Sequence, residues 1–450
     1  MKIAGLDIGS SSIKGAVLNL EHHQIEQVVR KPFPNPISGL PAGHFEIDPN
    51  RVFSLTQKLL EELLVQAPDC QAIVPCGQMG GVVLADNKGN PMGNYVSWQD
   101  QRSLENDQTG TTVYESTCQR LDGQTLGRLG YELKPGTAPA ILSWMSNKGE
   151  LGESATALTL GDFVMARLCN AVPCTEYTNA LGALDVSTRD WSAELLESLQ
   201  PNNLQWPSLR QFDQPVGEFS FSGGSIPCYP VVGDHQCALA GALLTKGELS
   251  LNVSTGSQVS MLACNFQEGN YQIRPWFGDG LLNTITHIPA GRSLNVLVNL
   301  VTEMVLDNQD PWSYILRAAS EAEENDLVVD LGFFDGPMGN QGGIANIRVD
   351  NLDVGSLFRT GFRTMASYYK ECANRLSPSR DWKRIAFSGG LVQNIPMLRD
   401  FIVESLSSPY RVCRSEEDTL EGLLILGKVI AGEFDSVDEG IADRLEYNHE

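Results

Sequence analysis

The fold of this chain is decided by the stretch IAGLDIGSSSIKGAVLN (residues 3–19), which predicts an apolar strand, a turn and a second apolar strand. The turn and its flanks carry Asp7, Gly9, Ser10, Ser11, Ser12 and Lys14. Small hydroxyl residues after a glycine expose backbone N–H groups around one point, and such a nest favours an anion. A single carboxylate in that turn is best explained by a metal ion. We therefore predict a nucleotide phosphate with Mg²⁺, with an ordinary Gly/Ser β-hairpin as the alternative.

The same pattern recurs about half a chain later, in LSLNVSTGSQVSMLACN (residues 249–265). Here the turn between the two apolar strands consists of Ser254, Thr255, Gly256 and Ser257. Because internal self-similarity sets architecture, we predict two related domains, each beginning with a hairpin whose tip faces a shared cleft. Two such tips can hold one phosphate chain from both sides. The alternative is that glycine and serine are simply common in β-turns.

Composition narrows the class of protein. The 450 residues are enough for two or three domains, and 42% of them are hydrophobic, which is enough for full cores. The net charge of −23 disfavours nucleic acid and anionic membranes as partners, because both are polyanions. No export signal or membrane-spanning run is predicted, so we expect a cytoplasmic protein. The ten cysteines and six histidines show no metal-ligand spacing, so neither a disulfide nor a structural metal is expected.

Strand and helix patterns alternate along the chain, which predicts α/β layers. The clearest segments are a helix at 49–66, a long helix at 352–376, a buried strand in RIAFSGG (384–390) and a closing helix at 417–432. A helix is expected to end at Gly247, just before the second hairpin. We therefore predict a boundary near residue 245, which divides the chain into domains at 1–245 and 246–450.

The segment WQDQR places Trp98, Asp100 and Arg102 at alternating positions. In an extended segment such residues point to the same side, so we predict an indole, a carboxylate and a guanidinium on one face. The indole offers a flat surface for the C–H face of a sugar, and the two charged groups can bind its hydroxyls. The alternative is a surface strand with an ion pair inside it.

Two further segments are candidates for chemistry. Asp234 ends the apolar strand IPCYPVVGD and precedes a small-residue helix. It is either the N-cap of that helix or a general base at the carboxyl end of a strand. Gly389 and Gly390 end the predicted strand segment at 384–390, and there the backbone could approach a ligand closely or simply turn tightly. Neither a dinucleotide fingerprint nor a Walker loop occurs, so any use of ATP proceeds without one.

Six short motifs occur in one order: DIGSSSIK, GQMGG, WQDQR, GDHQCALAG, NVSTGS and SGG. In this order they resemble the FGGY carbohydrate kinases, within the larger group that shares the actin and hexokinase ATPase fold. The resemblance runs nearly end to end and is most specific in W-x-D-x-R at 98–102 and G-D-x-Q at 233–236. It implies an α/β fold with two ribonuclease H-like domains that flank a deep cleft.

The resemblance also implies a role for each motif. The first phosphate loop would consist of Ser10, Ser11, Ser12 and Lys14, with Asp7 as the metal-binding residue. The second phosphate loop would consist of Ser254, Thr255, Gly256 and Ser257, and the adenosine segment would contain Gly389, Gly390 and Asn394. The sugar-contacting positions would be Gln78, Met79, Trp98, Asp100, Arg102 and Asp234. Asp234 matches the catalytic base, a role that is compatible with capping a helix.

Within the family, the chain is most similar to sedoheptulose kinases, followed by pentulose kinases such as xylulose kinase. It departs from the family pattern at Gly80, where many relatives carry His, and in SGGLVQN (388–394). The resemblance implies phosphorylation of a ketose by ATP with Mg²⁺. The implied partners are a small-molecule sugar and ATP, with no nucleic acid or membrane, and a homodimer is an open option.

Two other functions remain open at this point: a non-catalytic protein that senses a sugar or a nucleotide, and a phosphate-ester hydrolase on the same fold. The carboxylates of Asp7 and Asp234 favour the kinase, because a non-catalytic member is expected to lose one of them.

Overall fold

The computed structural model describes residues 1–151, 154–199, 204–303, 310–413, 415 and 417–447. These residues form two large mixed β-sheets with helices packed against them, which is the α/β fold that the motifs predict. The strands are β1 (Lys2–Ile8), β2 (Ser12–Asn19), β3 (Gln24–Pro32), β4 (Glu46–Ile47), β5 (Cys70–Gly77), β6 (Val83–Ala85), β7 (Tyr95–Val96), β8 (Ala155–Leu158), β9 (Cys174–Glu176), β10 (Leu184–Asp185), β11 (Asp190–Trp191), β12 (Leu204–Gln205), β13 (Ser208–Arg210), β14 (Gly217–Phe221), β15 (Gly224–Cys228), β16 (Val232–Gly233), β17 (Glu248–Asn252), β18 (Ser257–Ala263), β19 (Gln272–Pro275), β20 (Leu281–Ile288), β21 (Val328–Asp330), β22 (Gly343–Ala345), β23 (Arg384–Ser388) and β24 (Tyr410–Val412).

The helices are α1 (Pro49–Gln66), α2 (Val113–Gln119), α3 (Gly123–Arg128), α4 (Ala138–Lys148), α5 (Leu160–Leu168), α6 (Ala193–Ser198), α7 (Asp234–Gly241), α8 (Gly291–Thr302), α9 (Trp312–Glu321), α10 (Val354–Leu376), α11 (Gly390–Asn394), α12 (Pro396–Leu406), α13 (Asp418–Ile430) and α14 (Val437–Tyr447). The predicted helices at 49–66, 352–376 and 417–432 correspond to α1, α10 and α13, and the predicted strand at 384–390 corresponds to β23.

Both large sheets follow the same plan. In the first sheet, β1 lies between antiparallel β2 and parallel β5, and β3 continues antiparallel beyond β2. In the second sheet, β17 lies between antiparallel β18 and parallel β23, and β20 continues antiparallel beyond β18. The two predicted hairpins are therefore β1–β2 and β17–β18, and each provides the central strand of its sheet. The internal duplication predicted from the two turns is present in the structure.

Helix α1 shows how local sequence sets an element. Asp48 caps its N-terminus by accepting a hydrogen bond from the Asn50 N–H, and Pro49 occupies the first turn, where no N–H partner is needed. Leucines spaced three and four residues apart then form one buried face that includes Leu59, Leu60 and Leu63. This face packs against the hairpin strands of the first sheet.

An apolar core joins the two halves of the chain. It contains Ile3 and Leu18 from the first hairpin together with Leu282 from the second sheet and Leu424 from α13. Although α13 follows the second sheet along the chain, it packs on β1, β2 and β5 of the first. Gly427 makes this approach possible, because a Cβ added there would lie 2.2 Å from the Ile3 Cδ1.

Helices α7 and α13 meet backbone to backbone. A Cβ added to Gly241 would lie 1.8 Å from the carbonyl oxygen of Asp418, and one added to Gly422 would lie 2.0 Å from that of Cys237. The two glycines therefore set the separation of these helices. The boundary near residue 245 stays a prediction, since α13 lies against the first sheet. Within the described ranges, no helix is both long and apolar enough to cross a membrane.

We expect Gly422→Ala to destabilise the protein, because the added methyl group meets the Cys237 backbone and α7 must move away from α13. The expected cost is about 1–3 kcal/mol in the free energy of unfolding, measured by urea denaturation. The matched control is Gly361→Ala in α10, where the new Cβ would only reach ordinary contact with Leu294 at 3.9 Å. That control should be neutral or stabilising, since alanine favours helix. Equal changes in the free energy of unfolding for Gly422→Ala and Gly361→Ala would contradict the close contact between α7 and α13.

Candidate active site

Three neighbouring strand ends bring residues from three motifs together. Asp7 of β1 lies opposite Cys76 of β5, and Val232 of β16 also lies opposite Cys76, with both pairings parallel. Parallel strands end at a common sheet edge, which is where α/β proteins collect their functional groups. Asp7, Gln78 and Asp234 therefore reach the same edge of the first sheet.

The Asp7 carboxylate is held on one side only. Its Oδ2 accepts a hydrogen bond of 2.8 Å from the Thr419 hydroxyl and lies 3.6 Å from the Lys14 ammonium, which is also 3.3 Å from Glu417. Its Oδ1 is buried and has no hydrogen-bond partner among the described residues. Burial raises the pKa of Asp7, while Lys14 and Thr419 act in the opposite direction. A buried carboxylate oxygen without a partner is costly unless another group binds it.

The free oxygen of Asp7 fits a Mg²⁺ ion. Mg²⁺ in nucleotide sites is bound by one or two carboxylates, with phosphate oxygens and waters completing its shell. No cluster of three or more His, Cys, Asp or Glu side chains in the described part of the chain could hold a metal by itself. Asp7 would therefore share the ion with phosphates. The tip of the turn offers its exposed residues Ser10 and Ser11 to such a ligand, and Ser12 is half-buried.

Asp234 is not the helix cap that the sequence allowed as an alternative. The N-cap of α7 is Gly233, and Asp234 is the first helical residue, whose side chain makes no capping hydrogen bond within the described chain. The reason is that β16 ends at Gly233, whose extended backbone already forms the strand–helix junction. The carboxylate of Asp234 is thus not the N-cap, although the backbone N–H groups of Asp234 and His235 interact with it and lower its pKa.

Burial raises the pKa of Asp234 to about 7, and the negative charge of Asp7 acts in the same direction. Arg274 opposes both effects. A carboxylate with a pKa near neutrality is suited to general-base catalysis, since it can both hold and accept a proton at working pH. Its electrostatic environment therefore favours the second of the two predicted roles for Asp234.

A buried network lies next to Asp234. Arg274 forms an ion pair with Glu132 and donates a hydrogen bond of 2.7 Å to Nδ1 of His235. Burial and the charge of Arg274 lower the pKa of His235 well below its usual value, so its ring is neutral. A neutral ring that accepts at Nδ1 carries its proton on Nε2. Among the residues described, that Nε2 has no partner, so the residue that follows Asp234 carries a buried N–H donor without an acceptor.

Gln78 and Met79 link the sugar motif to the strand ends. The Gln78 side chain is 4% exposed, and its Nε2 lies 3.4 Å from the carbonyl oxygen of Gly9 in the first turn. Met79 packs on the strand–helix junction, because a Cβ added to Gly233 would lie 2.9 Å from its sulfur. Gln78 therefore lies close to the turn after Asp7 and Met79 lies close to the residue before Asp234, while their contact with a sugar stays a prediction.

Trp98 presents its ring to solvent while backbone contacts fix its base. The residue is 37% exposed, which is high for a large apolar side chain. Gly136 has a φ of +80°, and a Cβ there would lie 2.0 Å from the Trp98 carbonyl oxygen. Gly80 has a φ of +78°, and a Cβ there would lie 3.1 Å from the Trp98 Cβ. Because Gly80 and Gly136 lack side chains, their backbones can lie against the backbone and Cβ of Trp98. These contacts fix the base from which the indole projects.

The prediction that Trp98, Asp100 and Arg102 share one face is wrong. The chain turns at Trp98 and begins a 3-10 helix at Arg102, so the segment is not extended. Asp100 and Arg102 are 1% and 3% exposed, and Arg102 bonds to Asp100 at 2.9 Å and to Glu46 at 2.6 Å. The turn lets one guanidinium bond to two carboxylates at once, and these bonds stabilise the turn over an extended strand. Asp100 and Arg102 therefore hold the loop that carries Trp98, and direct sugar contact by them stays a prediction.

The second turn has an exposed tip and a buried base. Thr255 and Gly256 are exposed, whereas Ser257 is 2% exposed and its hydroxyl bonds to Tyr369 at 2.8 Å. The Ser254 hydroxyl closes the turn by donating to the Gly256 carbonyl at 2.7 Å. Thr255 and Gly256 are thus placed to meet a ligand, while Ser254 and Ser257 shape the turn.

The predicted adenosine segment adjoins the second turn. β17 and β23 are parallel, with Asn252 opposite Ser388, so Gly389 follows directly beside Val253. Gly389 has a φ of +92°, and a Cβ there would lie 2.5 Å from the Val253 carbonyl oxygen. Gly390 and Asn394 are the first and last residues of α11, and both are exposed. The structure thus brings the second turn and the start of this segment together.

Several residues near the strand ends were missed in the sequence. Thr419 lies 412 positions from Asp7, and its only signal is that it opens the predicted closing helix. His235 falls within the quoted GDHQ motif, which could have singled it out. Arg274 lies in a stretch without a clear pattern, and Glu132 follows a short helix, so neither carried a signal.

Comparison with known proteins gives a family match. The model described as "FGGY family of carbohydrate kinases, N-terminal domain" matches residues 2–241, more than half of the chain. A glycerol kinase of Marinomonas sp. (strain MWYL1) is 26% identical over 277 residues, which cover 56% of this chain and 53% of that protein. An autoinducer-2 kinase of Photorhabdus laumondii is 26% identical over 205 residues, covering 43% and 37%. The matched region thus spans about half or less of the length of these relatives.

Solved structures show the same fold over nearly the whole chain. A gluconate kinase from Lactobacillus acidophilus superposes with a TM-score of 0.85 at 17% identity, covering 98% of this chain and 91% of that one. A xylulose kinase from the same organism gives a TM-score of 0.83 at 17% identity with the same coverage. At such low identity these likenesses concern the fold alone. They confirm the predicted two-domain fold of the actin and hexokinase type.

Removal of the Arg102 guanidinium should destabilise the protein strongly, because the buried carboxylates of Asp100 and Glu46 lose their shared cation. We expect Arg102→Met to cost about 3–5 kcal/mol in the free energy of unfolding, measured by urea denaturation. The control is Arg348→Met, which removes exposed ion pairs with Asp326 and Asp350 and should change the free energy of unfolding far less, because solvent screens exposed pairs. A cost at Arg102 no larger than that at Arg348 would refute the loop-holding role.

Proposed function

Because this chain belongs to the FGGY family of carbohydrate kinases, we propose that it transfers a phosphoryl group from ATP to a hydroxyl group of a free sugar. The observation that supports this most is the pair of carboxylates on adjacent strand ends. Asp7 has a buried oxygen without a partner among the described residues, and Asp234 has a raised pKa and no capping role within that part of the chain. A sugar kinase needs one carboxylate to bind the metal ion and a second carboxylate to accept the proton of the sugar hydroxyl.

In the proposed reaction, a sugar hydroxyl oxygen attacks the γ-phosphorus of ATP, and the bond from that phosphorus to the ADP oxygen breaks. The hydroxyl proton passes to the Asp234 carboxylate. The exposed tips of the first and second turns, with Lys14, bind and orient the phosphates. Asp7 would hold Mg²⁺, which when bound neutralises charge on the phosphate oxygens. The phosphate-binding roles of both turns and of Gly389, Gly390 and Asn394 are part of this proposal.

The proposed acceptor is a ketose, with sedoheptulose first and xylulose or ribulose second. Support comes from the similarity of the GQMGG, WQDQR and GDHQ motifs to ketose kinases. Gly80 adds a physical argument, since its left-handed backbone and its 3.1 Å approach to the Trp98 Cβ disfavour the His that many relatives carry. Without that imidazole there is more room beside the indole, which favours a longer sugar.

The test is an ADP-release assay with Mg²⁺ and a panel of sedoheptulose, xylulose, ribulose, gluconate and glycerol. We expect ADP release that depends on the sugar and is most efficient with a ketose, and a phosphorylated sugar identified by mass spectrometry. Sugar-independent release of phosphate would instead indicate a hydrolase. Binding of sugar or ATP without turnover would indicate a sensing protein. Higher catalytic efficiency on glycerol than on every ketose would overturn the proposed acceptor.

Asp234→Asn should abolish turnover, because an amide has nearly the same shape but cannot accept a proton at neutral pH. The expected loss in kcat is about 10²–10⁴-fold, with ATP affinity nearly unchanged. The wild-type kcat/KM should rise as pH increases through about 7, since Asp234 must be ionised to act as a base. A variant that keeps more than about a tenth of kcat would contradict the base role.

The same substitution should affect stability in a pH-dependent way. The folded protein holds the Asp234 proton more tightly than the unfolded chain does, so wild-type stability falls as pH rises from about 4 towards about 7. Asn carries no charge to bury, so the Tm of Asp234→Asn should exceed that of the wild type at pH 8 and approach it at acid pH. The control is Asp279→Asn, which makes the same change of side chain at an exposed position, where no buried carboxylate is removed.

Trp98→Ala should weaken sugar binding much more than ATP binding, because the exposed indole is proposed to pack on the apolar face of the sugar. The measurement is the KM for each substrate, with the other at saturation. Met92→Ala is the control, since Met92 is also an exposed apolar residue, at 48% exposure, in the segment before Trp98. It should leave both KM values unchanged. A rise confined to ATP would remove Trp98 from the sugar site.

A further inference from the structure

The end of β9 and the 3-10 helix after it, Tyr177–Asn179, contact the strand–helix junction that presents Asp234. The Gly233 N–H donates a hydrogen bond of 2.8 Å to the Thr178 hydroxyl. The Gln236 side-chain amide lies 3.4 Å from the Thr178 carbonyl oxygen and donates to the Pro275 carbonyl at 3.0 Å. The residues immediately before and two positions after Asp234 are therefore both tied to Thr178.

Glu176 sets the direction of the Thr178 hydroxyl. One Glu176 oxygen, Oε2, accepts the Thr178 N–H at 2.7 Å and also bonds to the Thr178 hydroxyl. An ionised carboxylate can only accept, so with Glu176 ionised the single hydroxyl proton of Thr178 is donated to Glu176, while the hydroxyl oxygen accepts the Gly233 N–H. The order of donation is Gly233 N–H to Thr178 Oγ1–H to Glu176, and each bond in such a chain strengthens the next.

The burial of this segment needs an explanation other than ordinary packing. Glu176 and Thr178 are each 1% exposed, and Gln236 is fully buried. A buried carboxyl group is costly, and here burial raises the pKa of Glu176 to about 7. Apolar residues could fill the same volume at lower cost. What they could not supply is an acceptor for the Gly233 N–H, which would otherwise be buried without a partner.

The pairing of Gly233 with Gly77 of β5 holds the junction on its sheet side, and side chains add little to its orientation. Gly233 carries no side chain to lock it, and within the described chain α7 has no side-chain cap. The rotation of the Gly233 peptide sets the direction in which the first residue of α7 projects its side chain. The bond from the Gly233 N–H to Thr178 therefore acts together with the pairing to β5 to fix this rotation.

We propose that Glu176 and Thr178 are positioning residues for the Asp234 carboxylate, acting through the Gly233 peptide. This inference rests on the proposed kinase function, in which Asp234 receives the proton of the attacking hydroxyl. The pair does not touch the reacting atoms. It fixes the strand–helix junction so that the carboxylate meets the hydroxyl at bonding distance, and displacement of about 1 Å at such a site can cost about 100-fold in rate.

The test compares Thr178→Val with Thr178→Ser. Valine has nearly the shape of threonine but has no hydroxyl, so both the acceptor for Gly233 and the donor to Glu176 are lost. We expect kcat for Thr178→Val to fall about 10- to 100-fold while the KM for ATP stays within about twofold. Thr178→Ser keeps the hydroxyl and should recover most of kcat. Glu176→Gln keeps an acceptor oxygen and should likewise retain activity.

A double-mutant cycle separates positioning from general destabilisation. In the Asp234→Asn background there is no base to misplace, so Thr178→Val should reduce the residual rate by less than about threefold. A purely structural effect of Thr178→Val would lower the rate by the same factor in the wild-type and in the Asp234→Asn background. That result would overturn the proposal. Melting temperatures and binding of a non-hydrolysable ATP analogue show that each variant is folded at the assay temperature. If Thr178→Val does not fold, Thr178→Ala removes the same hydroxyl with less bulk and replaces it in the cycle.

The outcomes also distinguish this inference from the proposed function. An active wild type with an inactive Asp234→Asn and a fully active Thr178→Val would overturn the positioning role alone. A wild-type protein that phosphorylates no sugar in the panel would overturn the proposed function and, with it, this inference.

Discussion

The parallel pairing of β1, β5 and β16 is the constraint on which the site depends. Because Cys76 lies opposite both Asp7 and Val232, the register of one central strand fixes where two other strands end. A shift of one residue in either pairing would turn the following side chains to the opposite face of the sheet. Asp7 and Asp234 are 227 positions apart in the sequence, yet the sheet brings them close enough for their charges to interact. The strand register thus produces the proximity of Asp7 and Asp234 on which the proposed catalysis depends.

This arrangement costs stability, and the surrounding residues show how the cost is limited. Burial raises the pKa of both carboxyl groups, and the charge of Asp7 raises that of Asp234 further. Lys14 and Thr419 act on Asp7, whereas Arg274 acts on Asp234. None of the three fully offsets the burial, since both pKa values remain raised. A site that holds two carboxyl groups with raised pKa values suits the proposed binding of a cation and acceptance of a proton, and that function would account for the lost stability.

The sequence predicted those features that depend on local pattern. Both hairpins, α1, α10 and the closing helix follow from short-range periodicity and turn residues, and the structure places them as expected. The failures arose where distant partners decide the conformation. Residues 98–102 form a turn because Glu46, far away in the sequence, shares Arg102 with Asp100. The bond from Thr419 to Asp7 and the network around Arg274 also join distant segments, so no local pattern could show them.

The closing helix α13 shows why a single boundary along the sequence does not separate the two halves of the structure. α13 follows the second sheet along the chain, yet its glycines lie in close contact with Ile3 and with α7. Thr419, near the start of α13, donates a hydrogen bond to Asp7. The helix that carries Asp234 and the residue that orients Asp7 are therefore packed against each other. Any relative movement of the two halves must either keep this contact or strain both carboxylates together. Asp7 and Asp234 are thus linked through the packed pair of α7 and α13, whereas the second turn belongs to the other sheet.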